Sequence, residues 1–165
     1  VGDTWEQLSF AENDVIEIAL APSTQEIFAI ACGRTGLCEP YRLSGENWTL
    51  LQNGVQGLNV NRLLSTENGM LAATSSGLHR FDDKRQEWVL IGAGGREVLS
   101  LTASTSCDLA IAGQGFAMRS STCGDTWQEI PLENWAYQTI CYLGAKGDLL
   151  LIGSRENGAF VLPSH

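Results

Sequence analysis

The chain has 165 residues, 44% of them hydrophobic and 18% charged, which fits one folded domain and excludes a disordered or collagen-like chain. Ten Lys and Arg against nineteen Asp and Glu give a formal charge of -9, so neither nucleic-acid binding nor attraction to an anionic membrane surface is expected. No apolar run approaches the roughly 18 residues of a membrane span, and Val1-Gly2-Asp3-Thr4-Trp5 has no basic segment leading into an apolar one, so membrane insertion and a targeting peptide are not expected either.

In chain order, a short strand is predicted around Trp5, followed by Val15 to Leu20, Ile27 to Ala31, Gly36 to Arg42 and the strand carrying Trp48. The same succession returns as Leu58 to Leu64, Met70 to Thr74, Gly77 to Phe81 and the strand of Trp88. It returns again as Val98 to Leu101, Leu109 to Ala112, Gly115 to Arg119 and the strand of Trp127. The last set is Tyr137 to Leu143, Leu149 to Ile152 and Gly158 to Val161. Runs this short, bounded by Gly, Asn and Asp turn formers, read as buried strands, and helix is nearly absent.

Trp5, Trp48, Trp88 and Trp127 are separated by 43, 40 and 39 residues, and counting from Trp127 through the C-terminus round to Trp5 gives 43 again. Four-stranded units of about 40 residues in radial repetition are the pattern of a β-propeller, whereas a sandwich predicts no such period. The expectation is an all-β, four-bladed propeller of four-stranded antiparallel blades. Its repeats would span about 15-51, 55-91, 96-130 and 137-165 plus 1-8, with the N-terminal strand closing the last blade. Closure of this kind removes exposed strand edges. Half of an eight-bladed ring shared by two chains is the alternative, so the chain is expected as a monomer or a homodimer.

Ser120-Ser121-Thr122-Cys123-Gly124-Asp125-Thr126-Trp127 resembles the Asp-box (BNR repeat) S-x-D-x-G-x-T-W of the propellers of sialidases, sortilin-type receptors and photosystem II stability factors. It departs from the pattern at the named Asp, where Thr122 stands, and Gly2-Asp3-Thr4-Trp5 keeps only its end. Leu71 to Thr74 with Gly77-Leu78-His79-Arg80-Phe81-Asp82 is more similar to regulator-type propeller repeats. The resemblance implies a structural hairpin on the blade periphery with no catalytic assignment. Propellers of these families usually have six or more blades.

Little in the chain points to chemistry. A sialidase-like glycosidase needs an arginine triad, a Tyr nucleophile with a Glu partner and an Asp acid, and none of the eight arginines or three tyrosines stands in such a context. A Ser-His-Asp hydrolase needs a positioned imidazole. His79 reads instead as an exposed or half-buried strand residue, and the other histidine is the terminal His165. Zinc and calcium spacings are absent, Asp82-Asp83 reads as a solvated turn, and Gly92-Ala93-Gly94-Gly95-Arg96 lacks the features of a phosphate loop and reads as a connection between blades. No catalytic residue, metal or cofactor is assigned.

Cysteine is more informative. Cys32 and Cys38 flank a strand-two to strand-three hairpin, and Cys107 and Cys123 lie in alternate turns of the third unit that project from one face. Both pairs are within plausible disulfide reach. Disulfides Cys32-Cys38 and Cys107-Cys123, with Cys141 a free buried thiol, would place the protein in an extracytoplasmic compartment. Five reduced cysteines acting as small core residues is the alternative.

Propellers recognise partners through loops on a rigid scaffold. Hairpins between second and third strands, with the connections between blades, gather Arg34, Arg96, Arg155 and Trp135 on one face, and Trp135 is the Trp outside the repeat. Aromatic and Arg side chains dominate interface hot spots. A binding patch of Trp135, Tyr137, Arg34, Arg96 and Arg155 is therefore expected, for a protein partner, in a non-catalytic module. A glycan stacked on Trp135 and Tyr137 is the alternative, and a Trp135 that only caps a blade junction is the structural one.

Overall fold

The computed structural model describes residues 14–21, 24–105, 107–131, 140–146, 149–155 and 158–163. Among the described residues fifteen strands form four antiparallel sheets. The first contains β1 (Asp14–Leu20), β2 (Ile27–Cys32), β3 (Cys38–Ser44) and β4 (Asn47–Leu50). The second contains β5 (Val60–Thr66), β6 (Gly69–Thr74), β7 (Gly77–Asp82) and β8 (Glu87–Gly92). The third contains β9 (Ser100–Ala103), β10 (Leu109–Gly113), β11 (Phe116–Ser120) and β12 (Gln128–Glu129). The fourth contains β13 (Ile140–Lys146), β14 (Leu149–Ser154) and β15 (Gly158–Pro163). Strands neighbour in chain order within every sheet, so each is a simple meander. Residues 1-8, from which a closing strand was expected, lie outside the described residues.

The sheets stack face on face because their second strands are apolar on both sides. In β6, Met70 and Ala72 join a core with Phe28, Ile30, Leu51, Val60 and Trp88, which binds the first sheet to the second. The intervening residues Leu71 and Ala73 join Val98, Leu109, Ile111 and Phe116, which binds the second to the third. Ala110, Ala112 and Ala117 pack with Leu150 and Ile152, which binds the third to the fourth. Alternation within a strand, period two, thus sends successive side chains into successive junctions. Four meandering sheets, with a core at each of the three junctions between consecutive sheets among the described residues, form the four-bladed β-propeller predicted from the 40-residue period.

Two of the four recurrent tryptophans, Trp88 and Trp127, have a clear role in this arrangement. Trp88 is 3% exposed, and its indole Nε1 donates to the Leu51 carbonyl 37 residues earlier, at 2.8 Å. Trp127 Nε1 donates to the Ile91 carbonyl 36 residues earlier, at 2.7 Å. Each indole is a clasp from one sheet back to the end of the sheet before it. Gly54, at φ 87°, lets the connection pass against the backbone of Trp88, where a Cβ would collide with the carbonyl oxygen.

The inner strands share a further device. In β1, β5 and β13 the register shifts by one residue against the second strand, at Ile16, Asn61 and Cys141. Such bulges bend a strand and raise its local twist. That places Val15 and Ile18 of β1 in the positions of Val60 and Leu63 of β5.

Candidate functional site

The connections and the hairpins between second and third strands occupy the same end of the sheets, as expected. Ser75 N donates to the Asn59 carbonyl at 2.8 Å and Asn59 N to Ser75 Oγ at 3.2 Å, so the β6–β7 hairpin is tied to the connection ahead of it. Asn59 Oδ1 also accepts from Cys38 N at 3.0 Å, which ties in the β2–β3 hairpin. On the next connection Gly95 N reaches the Ser76 carbonyl at 3.3 Å and Val98 N the Thr74 carbonyl at 2.9 Å. Gly95 N and Arg96 N both donate within the fold, which bears out the reading of Gly92 to Arg96 as a connection. A loop surface pinned in this way loses little further conformational freedom when a partner docks.

Arg34 stands in the β2–β3 hairpin, Arg155 follows β14, and Arg96 lies between β8 and β9. All three belong to this loop end. Arg96 has the most defined surroundings. Its guanidinium lies over the Phe116 ring at 3.8 Å from the centroid, and its Nη1 pairs with Glu129 Oε1 at 2.9 Å. The buried Phe116 was not singled out from the sequence, where it reads only as part of the Gly115 to Arg119 strand. Trp135 and Tyr137 lie outside the described residues.

The opposite end carries the hairpin 120-127. Ser120 Oγ accepts from Thr122 N at 3.2 Å and Gly124 N at 2.9 Å, while Thr122 Oγ1 accepts from Thr126 N at 2.9 Å. A Thr hydroxyl thus holds the turn at the position where the Asp-box pattern has a carboxylate. Trp127 Nε1 shares its proton with the Gly124 carbonyl at 3.0 Å. The Cys107–Cys123 disulfide fastens the hairpin to the β9–β10 turn, and Cys32–Cys38 bridges directly paired residues of β2 and β3. Arg80 Nη2 donates to the Cys123 carbonyl, and Asn68 Nδ2 lies 3.4 Å from both sulfurs of the Cys107–Cys123 bridge. The side chain of Cys141 is outside what the structure describes.

Beside this hairpin is a cleft of about 470 Å³ lined by Arg80, Asp82, Asp83 and Lys84 with Phe81, Val89 and Ile91. Its carboxylates are engaged. Asp82 Oδ1 accepts from the backbone N of Lys84 at 2.9 Å and of Arg85 at 3.2 Å, and Asp83 pairs with Arg42 at 3.5 Å. Asp82 ends β7 and Asp83 opens the turn that follows it, where the sequence implied a turn at both. No group of three or more His, Cys, Asp or Glu among the described residues has the arrangement to hold a metal ion.

Three ionisable groups are shifted. Burial holds His79 below its ordinary value of 6.5, against a smaller opposing effect of the hydrogen bond to Gly77. At 5% exposure His79 is buried, which corrects the expectation of an exposed or half-buried residue. Its ring faces Thr74 Oγ1 at 3.5 Å in the wall between sheets. Asp108 is lowered chiefly by Arg119, which reaches it through Nε at 2.7 Å and Nη2 at 2.8 Å. Glu17 is raised by burial, partly offset by the Leu63 N–H and Arg62.

Fold and site together define a β-propeller chain with a pinned loop face. No family model matches the sequence, and no curated protein does. Solved structures do. The chain is similar to the extracellular domain described as that of a one component system, BT4673, of B. thetaiotaomicron, with a TM-score of 0.75, 18% identity, and coverage of 95% of this chain and 22% of that one. It is similar to YCF48 bound to D1 peptide, with a TM-score of 0.67, 17% identity, and coverage of 99% of this chain and 56% of that one. It is also similar to the computationally designed Ika4 protein, with a TM-score of 0.67, 12% identity and coverage of 100% of both chains. The chain spans about a fifth to a quarter of the length of the first of these structures it matches. At these identities the likeness shows the fold. Among the described residues no helix is long and apolar enough to cross a membrane.

Proposed function

We propose that the chain is a non-catalytic recognition module of an extracytoplasmic compartment, a single domain of four repeats that binds a segment of another protein on its loop face. The observation that carries this reading is the pinned loop end with Arg96 fixed between Phe116 and Glu129. Stacking and pairing hold the guanidinium in one orientation, so little side-chain entropy is left to lose on binding. Arg34, Arg155, Trp135 and Tyr137 complete the patch. Three arginines on one face of a chain of charge -9 favour a segment that carries carboxylates.

Two further observations support the reading. Among the similar structures, YCF48 is bound to a peptide, and two others are extracellular domains from B. thetaiotaomicron. Two disulfides favour an oxidising environment for this chain as well. The hairpin 120-127 is, in this reading, a degenerate Asp-box that stiffens the blade periphery.

Selection of a random peptide library on the immobilised, oxidised chain tests the proposal. Acidic peptides should be enriched, and Arg96→Ala or Trp135→Ala should weaken the selected peptides about tenfold, the effect of losing one hot-spot side chain. Failure to enrich any peptide, or binding indifferent to both substitutions, would overturn it. Selective signal on a glycan array without peptide enrichment would replace it with the sugar-stacking alternative.

A further inference from the structure

At the end of the sheets away from the loop face, the cleft beside the 120-127 hairpin holds two cations that the fold leaves without a counter-ion. Arg42, Arg62, Arg85, Arg96 and Arg119 are each ion-paired with a carboxylate. Among the described residues neither Arg80 nor Lys84 is, although both line the cleft and the chain has nineteen Asp and Glu. Arg80 Nη2 donates to the Cys123 carbonyl, and its Nε is buried with no acceptor. A part-buried guanidinium in that state has given up water without gaining a charge partner, which is costly.

The rest of the cleft is apolar and held in place. Val89 lies directly opposite Arg80 across β7 and β8 and is 40% exposed, and Ile91 lines the same cleft. The hairpin closes the other side: a Cβ at Gly124 would stand 2.9 Å from Ile91 Cδ1 and 3.5 Å from Arg80 Nη2. Trp127 Nε1 donates to the Ile91 carbonyl at 2.7 Å and the Gly124 carbonyl at 3.0 Å, so one indole ties the two walls together. The Cys107–Cys123 disulfide anchors the hairpin behind it. A cleft of about 470 Å³ with fixed walls and a few polar groups is of the size that takes a small molecule.

We infer that this cleft binds a small organic monocarboxylate, its carboxylate held by Arg80 and Lys84 and its hydrocarbon body lying on Val89 and Ile91. A planar guanidinium matches a carboxylate through parallel N–H donors. Asp82 and Asp83 are taken up by Lys84 N, Arg85 N and Arg42, yet their charge still opposes a ligand that carries two or more negative charges. The apolar wall, in turn, gives a small hydrated anion nothing to bury. The inference stands apart from the loop-face reading, because none of its residues belongs to that patch.

The test is titration of the full, oxidised, isotope-labelled chain with hexanoate, followed by heteronuclear NMR of the backbone amides and the arginine Nε–Hε groups. Hexanoate should give saturable shifts at millimolar concentration, confined to β7, β8 and the 120-127 hairpin and including Arg80 Nε. Hexanamide has the same body without the charge, and acetate has the charge without the body. Each of these, and inorganic phosphate, should bind about tenfold more weakly or less. Lys84→Gln, at an exposed turn residue, should weaken hexanoate about threefold. Arg80→Gln, which keeps an amide donor for the Cys123 carbonyl, should weaken it further. Absence of saturable shifts in the cleft overturns the inference. So does hexanamide or phosphate that binds as tightly as hexanoate, or hexanoate binding that neither substitution weakens.

Discussion

Replacing Trp88 with Phe isolates the indole clasp from the aromatic packing around it. The substituted ring still fills most of the space beside Phe81, whose centroid lies 5.1 Å away, and keeps contact with the core that joins the first two sheets. What is lost is the donor to Leu51 and part of the buried ring. An unsatisfied buried carbonyl costs about 1–3 kcal/mol and the missing ring atoms about 1 kcal/mol, together roughly 3 kcal/mol. For a chain of this size that lowers Tm by about 6–12 °C. The assay is urea unfolding of the oxidised protein followed by far-UV circular dichroism, with a thermal scan alongside. Trp127→Phe should cost less, because that indole is only half-buried. A Trp88→Phe variant within about 0.5 kcal/mol of wild type, the range of an ordinary surface change, would refute the reasoning.

Gly54→Ala should destabilise by more than about 1 kcal/mol, the cost of a left-handed backbone alone, since a Cβ there also meets the Trp88 carbonyl; urea titration measures it. Wild-type stability should fall as pH drops below 6.5, because the unfolded chain protonates His79 there while burial keeps the folded imidazole neutral; His79→Gln should flatten that slope in unfolding curves between pH 6.5 and the carboxylate range. Replacing both Cys107 and Cys123 with Ala should cost about 3 kcal/mol by loop-closure entropy, and more than the same change at Cys32 and Cys38, whose bridge closes a separation of 6 residues instead of 16. Equal losses for the two pairs would contradict that ordering.

The strands were legible in the sequence because short apolar runs between Gly, Asn and Asp turns have few other readings; Met70 to Thr74 and Leu109 to Ala112 lie within β6 and β10. Both disulfides followed from the placement of four cysteines on those strands and turns. What the tryptophans do was not legible, because the acceptors of their N–H groups are backbone carbonyls, which every residue carries. His79 was misread for a related reason. A polar residue in a repeated strand looks exposed until a neighbouring sheet is placed over it. The setting of Arg96 was hidden as well, since its partners Phe116 and Glu129 are 20 and 33 residues away and belong to different strands. Nor does a hydrophobic pattern distinguish Leu71 from Leu151, although one is buried and the other exposed.

The clasps also impose an order on the nascent chain. Each acceptor carbonyl precedes its indole by 36 or 37 residues, about one whole repeat, so it has already left the ribosome when the tryptophan emerges. A newly made sheet can therefore latch onto a finished neighbour at once, without waiting for anything downstream. Synthesis from the N-terminus and assembly from the first sheet run in the same direction.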